Sequence, residues 1–188
     1  MILTDREIKI ALARGALVID PLPDERAFAS TSVDLTLDQT FSEYREPQRG
    51  LDISIDPGLE EFDHDAVLDQ ITERHTIDKR EGYVLEPRRL ILGWTVEYLD
   101  LRPDPRLAAR VEGKSSLGRL GIGIHVTAPT IHAGFEGRIR LEIINHGRMP
   151  VRLRAGMRIC QLIFEQTLGT PDKGYAGRFA GQDAARRG

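Results

Sequence analysis

Between residues 83 and 164 the chain is cut into seven short apolar stretches, at 83–85, 90–96, 108–111, 122–126, 139–144, 151–153 and 159–164. None reaches the roughly 10–12 residues of an ordinary helix. Turn-forming residues separate them at Glu86-Pro87-Arg88, Pro103-Asp104-Pro105, Ala133-Gly134, Asn145-His146-Gly147 and Ala155-Gly156. Proline removes a ladder donor and glycine admits left-handed backbone, so chain reversals concentrate at such places. Many short strands at this spacing predict an all-β sandwich or barrel rather than a sheet of strand–helix–strand units. The clearest alternation is Arg138-Ile139-Arg140-Leu141-Glu142-Ile143. As a strand it turns Ile139, Leu141 and Ile143 to the core and Arg138, Arg140 and Glu142 the other way.

The first half adds smaller elements. Thr4-Asp5-Arg6-Glu7 fits a capping box, with Ile8, Ala11 and Leu12 at helical spacing and Gly15 as a stop. Leu17-Val18-Ile19 reads as a strand ended by Pro21 and Pro23. In the segment 30–37, Val33, Leu35 and Leu37 alternate inward against Ser32, Asp34 and Thr36. Asp34 then reads as surface decoration in preference to a subunit contact. The segment 45–80 is dense in carboxylates, among them Asp52, Asp56, Glu60, Glu61, Asp63 and Asp65. No calcium-loop spacing organises them and His64 and His75 have no evident ligand partner, so a solvated insertion is expected.

With 188 residues, 40% hydrophobic and 29% charged, the chain suits one soluble domain with a real core. A net charge of -3 supplies no global field for nucleic acid, so any anion site must be local. The single cysteine, Cys160, excludes a disulfide framework and a Cys-rich zinc site; within the apolar run 159–164 it is expected to be a buried, inert thiol. The N-terminus has no signal-peptide apolar core, and no apolar run approaches the ~20 residues that cross a bilayer. The chain is therefore read as cytoplasmic, with neither a membrane nor a nucleic-acid partner.

Chemistry concentrates in the segment 111–145. Gly113-Lys114-Ser115-Ser116 groups backbone N–H donors, two hydroxyls and an ammonium at the start of a short helix, a setting that favours phosphate. Arg119 returns to the same side one turn after Ser115. Glu142, on the polar face of its strand, is a candidate acid/base. Each residue also has a plainer reading: Lys114 and Arg119 as surface charges, Glu142 as a solvated strand residue, His125 as a hydrogen-bonded structural histidine. After Gly169 the Gly-rich tail is expected to be mobile until something orders it.

Together these residues resemble the dCTP deaminases, the deaminating branch of the trimeric dUTPase superfamily. The similarity is carried by GKSSLGRLG at 113–121, HVTA at 125–128, GFEG at 134–137, Leu141-Glu142, Gly156-Met157 and Gln161-Leu162. The N-terminal helix, the Ser32-Val33-Asp34-Leu35 strand and Phe179-Ala180-Gly181-Gln182 fall in the same order, so nearly the whole chain is covered. The resemblance implies a mainly β subunit, a distorted β-barrel or jelly-roll-like fold with a short N-terminal helix and small helical insertions. It implies a single domain over 1–188, with 169–188 as a tail closing over the site. It also implies a homotrimer with active sites between subunits, and hydrolytic deamination of dCTP to dUTP and ammonia without zinc. The sequence has neither H-x-E nor P-C-x-x-C, the signature of zinc-dependent deaminases.

Residue by residue, the resemblance makes Glu142 the general acid/base, with Ser115, Arg119 and the Ala128 carbonyl placing the water. Lys114, Ser115, Ser116, Leu117, Gly118 and Arg119 fall along the triphosphate site. Arg140 and Leu141 fall in the strand that meets the base, and His132 lies beside the sugar. Tyr175, Arg178 and Gln182 close over the phosphates from the tail. Magnesium arrives on the triphosphate, held by phosphate oxygens and water. No protein metal ligand is assigned, and dTTP is a candidate inhibitor.

The chain departs from the family at His132, where an aspartate is common and where related dUTPases use that carboxylate to activate water. Arg178 stands in place of a frequent lysine, which keeps the charge and changes the geometry. The leading expectation is a deaminase that stops at dUTP. The alternatives are a bifunctional enzyme releasing dUMP and diphosphate, and an inactive nucleotide-binding regulator.

Overall fold

In a computed structural model of the chain the described residues are 1–46, 54–102, 104–173 and 181–183. Helix α1 (Asp5–Ala13) begins as its capping residues predict: the Thr4 side chain accepts the Glu7 N–H at 3.5 Å. Gly15, with φ 68°, ends it, and Ile8 is fully buried. Strand β1 (Val18–Asp20) and a 3-10 turn at Glu25–Ala27 lead to β2 (Phe28–Ala29), β3 (Ser32–Thr36) and β4 (Thr40–Tyr44). Helix α2 (His64–Ile71) runs directly into β5 (Thr72–Thr76), followed by β6 (Tyr83–Leu85), β7 (Leu90–Asp100) and β8 (Leu107–Gly113). The single turn α3 (Ser115–Gly118) precedes β9 (Ile122–Gly123), β10 (Thr130–Ile131), β11 (Glu136–Asn145), β12 (Val151–Leu153) and β13 (Arg158–Gln166).

These strands form two antiparallel sheets and a small pair. One sheet runs β5-β4-β7-β11-β9, with β1 on the far end of β7; the other runs β10-β8-β13-β3-β2; β12 pairs with β6. The strand order does not return on itself. The mainly β expectation therefore holds as two open sheets around one core, not as a closed barrel. Leu35, Leu37, Phe41, Ile91, Leu162 and Phe164 are each at most 2% exposed. Burying a side chain of this kind is worth ~1.5–3 kcal/mol, and the alternation along both sheets supplies such residues from each side. At Gly93 a Cβ would stand 2.8 Å from Ile143 Cδ1 on the neighbouring strand and 3.2 Å from Leu37 Cδ1, so a larger residue requires those side chains to shift.

A corner in β7 links the two sheets. Arg138 pairs with Tyr98 and Arg140 with Trp94, so Thr95, Val96 and Glu97 stand opposite the single residue Ile139. The extra residues leave the Ile139 N–H without a ladder carbonyl, and the buried Thr95 hydroxyl accepts it at 3.0 Å. That hydroxyl donates in turn to the Glu97 carbonyl at 2.9 Å. The Glu97 carboxylate, 5% exposed, accepts from the Thr36 N–H at 2.9 Å and its hydroxyl at 2.8 Å. The bulge thus turns β7 onto β3 with its polar groups paired, as buried groups must be.

Two readings of the sequence change. Asp34 is not surface decoration: its carboxylate meets Lys114 Nζ at 2.5 Å and Arg158 Nη1 at 3.8 Å. The segment 45–80 is not a purely solvated insertion: β5 pairs with β4, Thr72 and Ile77 are buried, and His64 and Leu68 of α2 line a cavity over the first sheet. Cys160 is buried as expected, and burial pushes its thiol far up, so it stays protonated and unreactive. Among the described residues no helix is long and apolar enough to cross a membrane.

Candidate active site

The outer face of the first sheet is set by its register. Glu142 pairs with Leu92 and Arg140 with Trp94, while Ser42 of β4 pairs with Leu92 from the other side. Paired residues in antiparallel strands point to one face, and so do residues two apart along a strand. Glu142, Arg140, Leu92, Trp94 and Tyr44 therefore share that face. The opposite faces of the same residues' neighbours, Ile139, Leu141 and Ile143, are in the core as the alternation predicts. The Arg140 guanidinium carbon lies 5.2 Å from the centroid of the Trp94 ring, a cation–π contact.

A cavity of about 380 Å³ opens over this face. Tyr44, Leu92, Arg140 and Glu142 line it from the sheet, His64 and Leu68 from α2, and Gln182 from the tail. Most of the remaining wall is the segment from β9 to β11, through His125, Ala128, Thr130, His132 and Phe135, with Val111 of β8 beside it. This segment crosses from one sheet to the other. It is anchored where Val111 N–H donates to the Pro129 carbonyl at 2.9 Å and where β10 pairs with β8. On its way it passes Glu142, whose Oε2 accepts the Val126 N–H at 3.1 Å. A carboxylate held by one backbone donor keeps acceptor capacity for a water or a substrate amine, which is what a general base requires.

The tail reaches the cavity by pairing. Arg138 N–H donates to the Gln182 carbonyl and Gly181 N–H to the Glu136 carbonyl, each at 2.9 Å, while Gln182 Nε2 donates to the Arg138 carbonyl at 2.8 Å. Gly137 makes room for this, with φ 139° and an added Cβ that would stand 2.8 Å from the Gln182 carbonyl oxygen. Gly137→Ala is expected to release residues 181–183 and cost ~1–3 kcal/mol of backbone strain. Hydrogen exchange reads this directly: the Arg138 and Gly181 amides become fast while the β7–β11 amides stay protected.

Of the residues named from the sequence, Ala128, His132, Arg140, Glu142 and Gln182 come together around one cavity. The Leu141 side chain, 1% exposed, points into the core, so only its backbone can face a ligand. Lys114, Ser115, Ser116, Leu117, Gly118 and Arg119 do not line this cavity. They form the α3 turn, in which Ser115, Ser116, Gly118 and Arg119 are exposed and the Lys114 ammonium is engaged by Asp34. Gln161 fixes the entry to that turn: its Nε2 donates to the Gly113 carbonyl at 3.1 Å and its Oε1 accepts the Ser32 hydroxyl at 3.0 Å. Tyr175 and Arg178 lie outside the described residues. His125 Nε2 stands 3.9 Å from Glu112 Oε2. Sequence reasoning missed Tyr44, His64, Leu68, Thr130 and Phe135. Asp63 as an N-cap with His64 and Leu68 four apart was the available signal for α2.

Residues 2–167 match the sequence profile of a family described as dCTP deaminase-like. The chain belongs to the dCTP deaminase-like family. A protein of Methanobrevibacter smithii named dCTP deaminase, dUMP-forming, is 44% identical over 170 residues, which is 90% of this chain and 82% of the relative. A Rhodospirillum rubrum protein named dCTP deaminase is 36% identical over 178 residues, 94% of this chain and 88% of the relative. The crystal structure of 2'-deoxycytidine 5'-triphosphate deaminase from Agrobacterium tumefaciens matches with a TM-score of 0.66 and 27% identity. That match covers 87% of this chain and 47% of the longer Agrobacterium chain.

Proposed function

We propose that this chain hydrolytically deaminates the cytosine base of dCTP, giving dUTP and ammonia. The observation that carries the reading is Glu142, a carboxylate hung from the Val126 N–H inside the cavity of a dCTP deaminase-like chain, with Arg140 beside it. In this reading Glu142 takes a proton from water as the water oxygen bonds to C4, and the proton passes to N3. A second transfer through Glu142 protonates the amine, the C4–N bond breaks, ammonia leaves and C4 becomes a carbonyl. The Ala128 carbonyl accepts a hydrogen bond from the attacking water, and Arg140 and Gln182 meet the polar edge of the nucleotide. The substrate is the magnesium–triphosphate complex.

Ser115, Ser116 and Arg119 take part from a neighbouring copy in a homotrimer, since within one chain they stand away from the cavity. The exposed apolar side chains Leu120 and Val126, 58% and 61% exposed on the same segment, support an interface there. Lys114, held by Asp34, shapes the turn that presents these groups. Tyr175 and Arg178 are assigned to the triphosphate as the tail closes.

A second reading, continuation to dUMP and diphosphate, is favoured by the name of the Methanobrevibacter smithii relative. It requires a base for a second water, attacking phosphorus, and His132 is the cavity residue at the position in question. The deciding experiment incubates the protein with magnesium and dCTP and resolves dCTP, dUTP and dUMP over time. Accumulating dUTP supports the single-step reading. Direct appearance of dUMP without free dUTP replaces it by the second. Nucleotide binding with neither product overturns both.

A further inference from the structure

The cavity has a wall with no assigned role. Tyr44 ends β4, and its backbone is locked to the α2–β5 junction: it pairs with Thr72, and the next residue donates its N–H to the Ile71 carbonyl at 2.8 Å and Arg45 Nε to the Thr72 carbonyl at 3.1 Å. The Thr72 hydroxyl closes α2 by donating to the Leu68 carbonyl at 2.7 Å, and Asp63 caps its start at 3.0 and 3.1 Å. Helix α2 is thereby fixed at both ends, with His64 and Leu68 one turn apart on the cavity side. Tyr44, Leu68 and Leu92, with His64, line the cavity beside Glu142 on the side of β4, β7 and α2. Burial holds the Tyr44 phenol above its ordinary range, Arg140 pulls it down and Glu142 pushes it up, so the hydroxyl lies within the field of both.

Cytosine has two unlike edges beside C4. N3 and O2 need hydrogen-bond partners, whereas C5–H and C6–H need none and prefer an apolar neighbour. With C4 at the Glu142 carboxylate, the register sets two sides: Arg140 lies in the row of Trp94, and Tyr44 lies one row past Leu92 on the other side of Glu142. Matching polar to polar places C5 against the Tyr44–Leu68–Leu92 wall.

Resting on the deaminase reading above, we propose that Tyr44 and Leu68 are specificity-determining residues that bound the C5 edge of the pyrimidine and decide which 5-substituents are accepted. The test compares kcat/KM for dCTP and 5-methyl-dCTP in the wild-type protein and in Tyr44→Ala, Tyr44→Phe and Leu68→Ala. Truncating the wall is expected to raise the 5-methyl-dCTP/dCTP ratio by ~10-fold, the scale of one methyl group in a shaped pocket. Tyr44→Phe keeps the ring and is expected to leave the ratio near the wild-type value. Helix α2 contains no fully buried residue, so Leu68→Ala stays folded and reads the wall even if Tyr44→Ala does not. Turnover by wild type with an unchanged ratio in Leu68→Ala overturns this proposal alone. Absence of dCTP turnover by wild type overturns the deaminase reading and this proposal with it.

Discussion

Replacing Glu142 by glutamine is expected to lower kcat on dCTP by ~10²–10⁴-fold, the usual contribution of a positioned general base. The substitution is selective because the amide oxygen can still accept the Val126 N–H that now bonds the carboxylate at 3.1 Å. Shape and anchoring survive; only the basic group is lost. Nucleotide binding should persist, and the single tryptophan offers a probe, since Trp94 lies under Arg140 at the cavity. The trimer proposal sharpens the same experiment. Glu142→Gln subunits refolded together with Arg119→Ala subunits should regain part of the activity that each lacks alone, because some sites then combine an intact Glu142 with an intact Arg119. Full activity of Glu142→Gln would remove Glu142 from the mechanism. No recovery on mixing, with both variants inactive alone, would place Arg119 and Glu142 of one chain in the same site.

The largest loss of stability is expected from Asn145→Asp. The Asn145 side chain is wholly buried and uses its amide fully: Nδ2 donates to the Leu85 and Met149 carbonyls and Oδ1 accepts the Gly147 N–H, all at 2.9 Å. A carboxylate keeps the acceptor and loses both donors, setting a negative oxygen against two carbonyls. An uncompensated buried charge costs roughly 3–5 kcal/mol, which in a domain of this size lowers Tm by roughly 10 °C. The penalty relative to wild type should shrink as pH falls. Burial raises the folded-state pKa of such a group, the folded form then holds its proton more tightly than the unfolded form, and stability is regained toward acid pH. Thermal unfolding at several pH values checks both points; a Tm equal to wild type would show that the amide is not bonded as described. Activity should fall too. Asn145 holds Gly147 against Gly121, where an added Cβ would lie 2.4 Å from the Gly147 nitrogen, and that contact positions the end of the α3 turn.

The seven apolar stretches between 83 and 164 were legible because alternation and turn chemistry are local properties. All seven contain strands, and 83–85 and 151–153 have the bounds the residues imply. The faces of β11 followed from a period of two, which put Glu142 and Arg140 on one side without any tertiary information. Strands β4 and β5 escaped notice because they bury so little: Phe41 is the only buried residue of Thr40-Phe41-Ser42-Glu43-Tyr44, and Thr72 that of Thr72-Glu73-Arg74-His75-Thr76. With so little alternation, in β5 at the sheet edge and in β4 beside it, the sequence carries little signal.

The motif residues were likewise legible as a set, but not as a place. Local pattern could mark GKSS and Glu142 as chemical. Only the folded chain separates them, leaving α3 exposed with Lys114 on Asp34 while Glu142 enters a cavity with Ala128, His132 and Gln182. Composition made 45–80 look like a solvated loop because its carboxylates dominate the count, whereas the two side chains that enter the cavity, His64 and Leu68, are a small minority on one helical face. Periodicity along a strand is written in consecutive residues. The meeting of β4, β7, β11, α2 and the tail depends on register and a bulge between segments distant in sequence, and such contacts exist only once the chain has closed on itself.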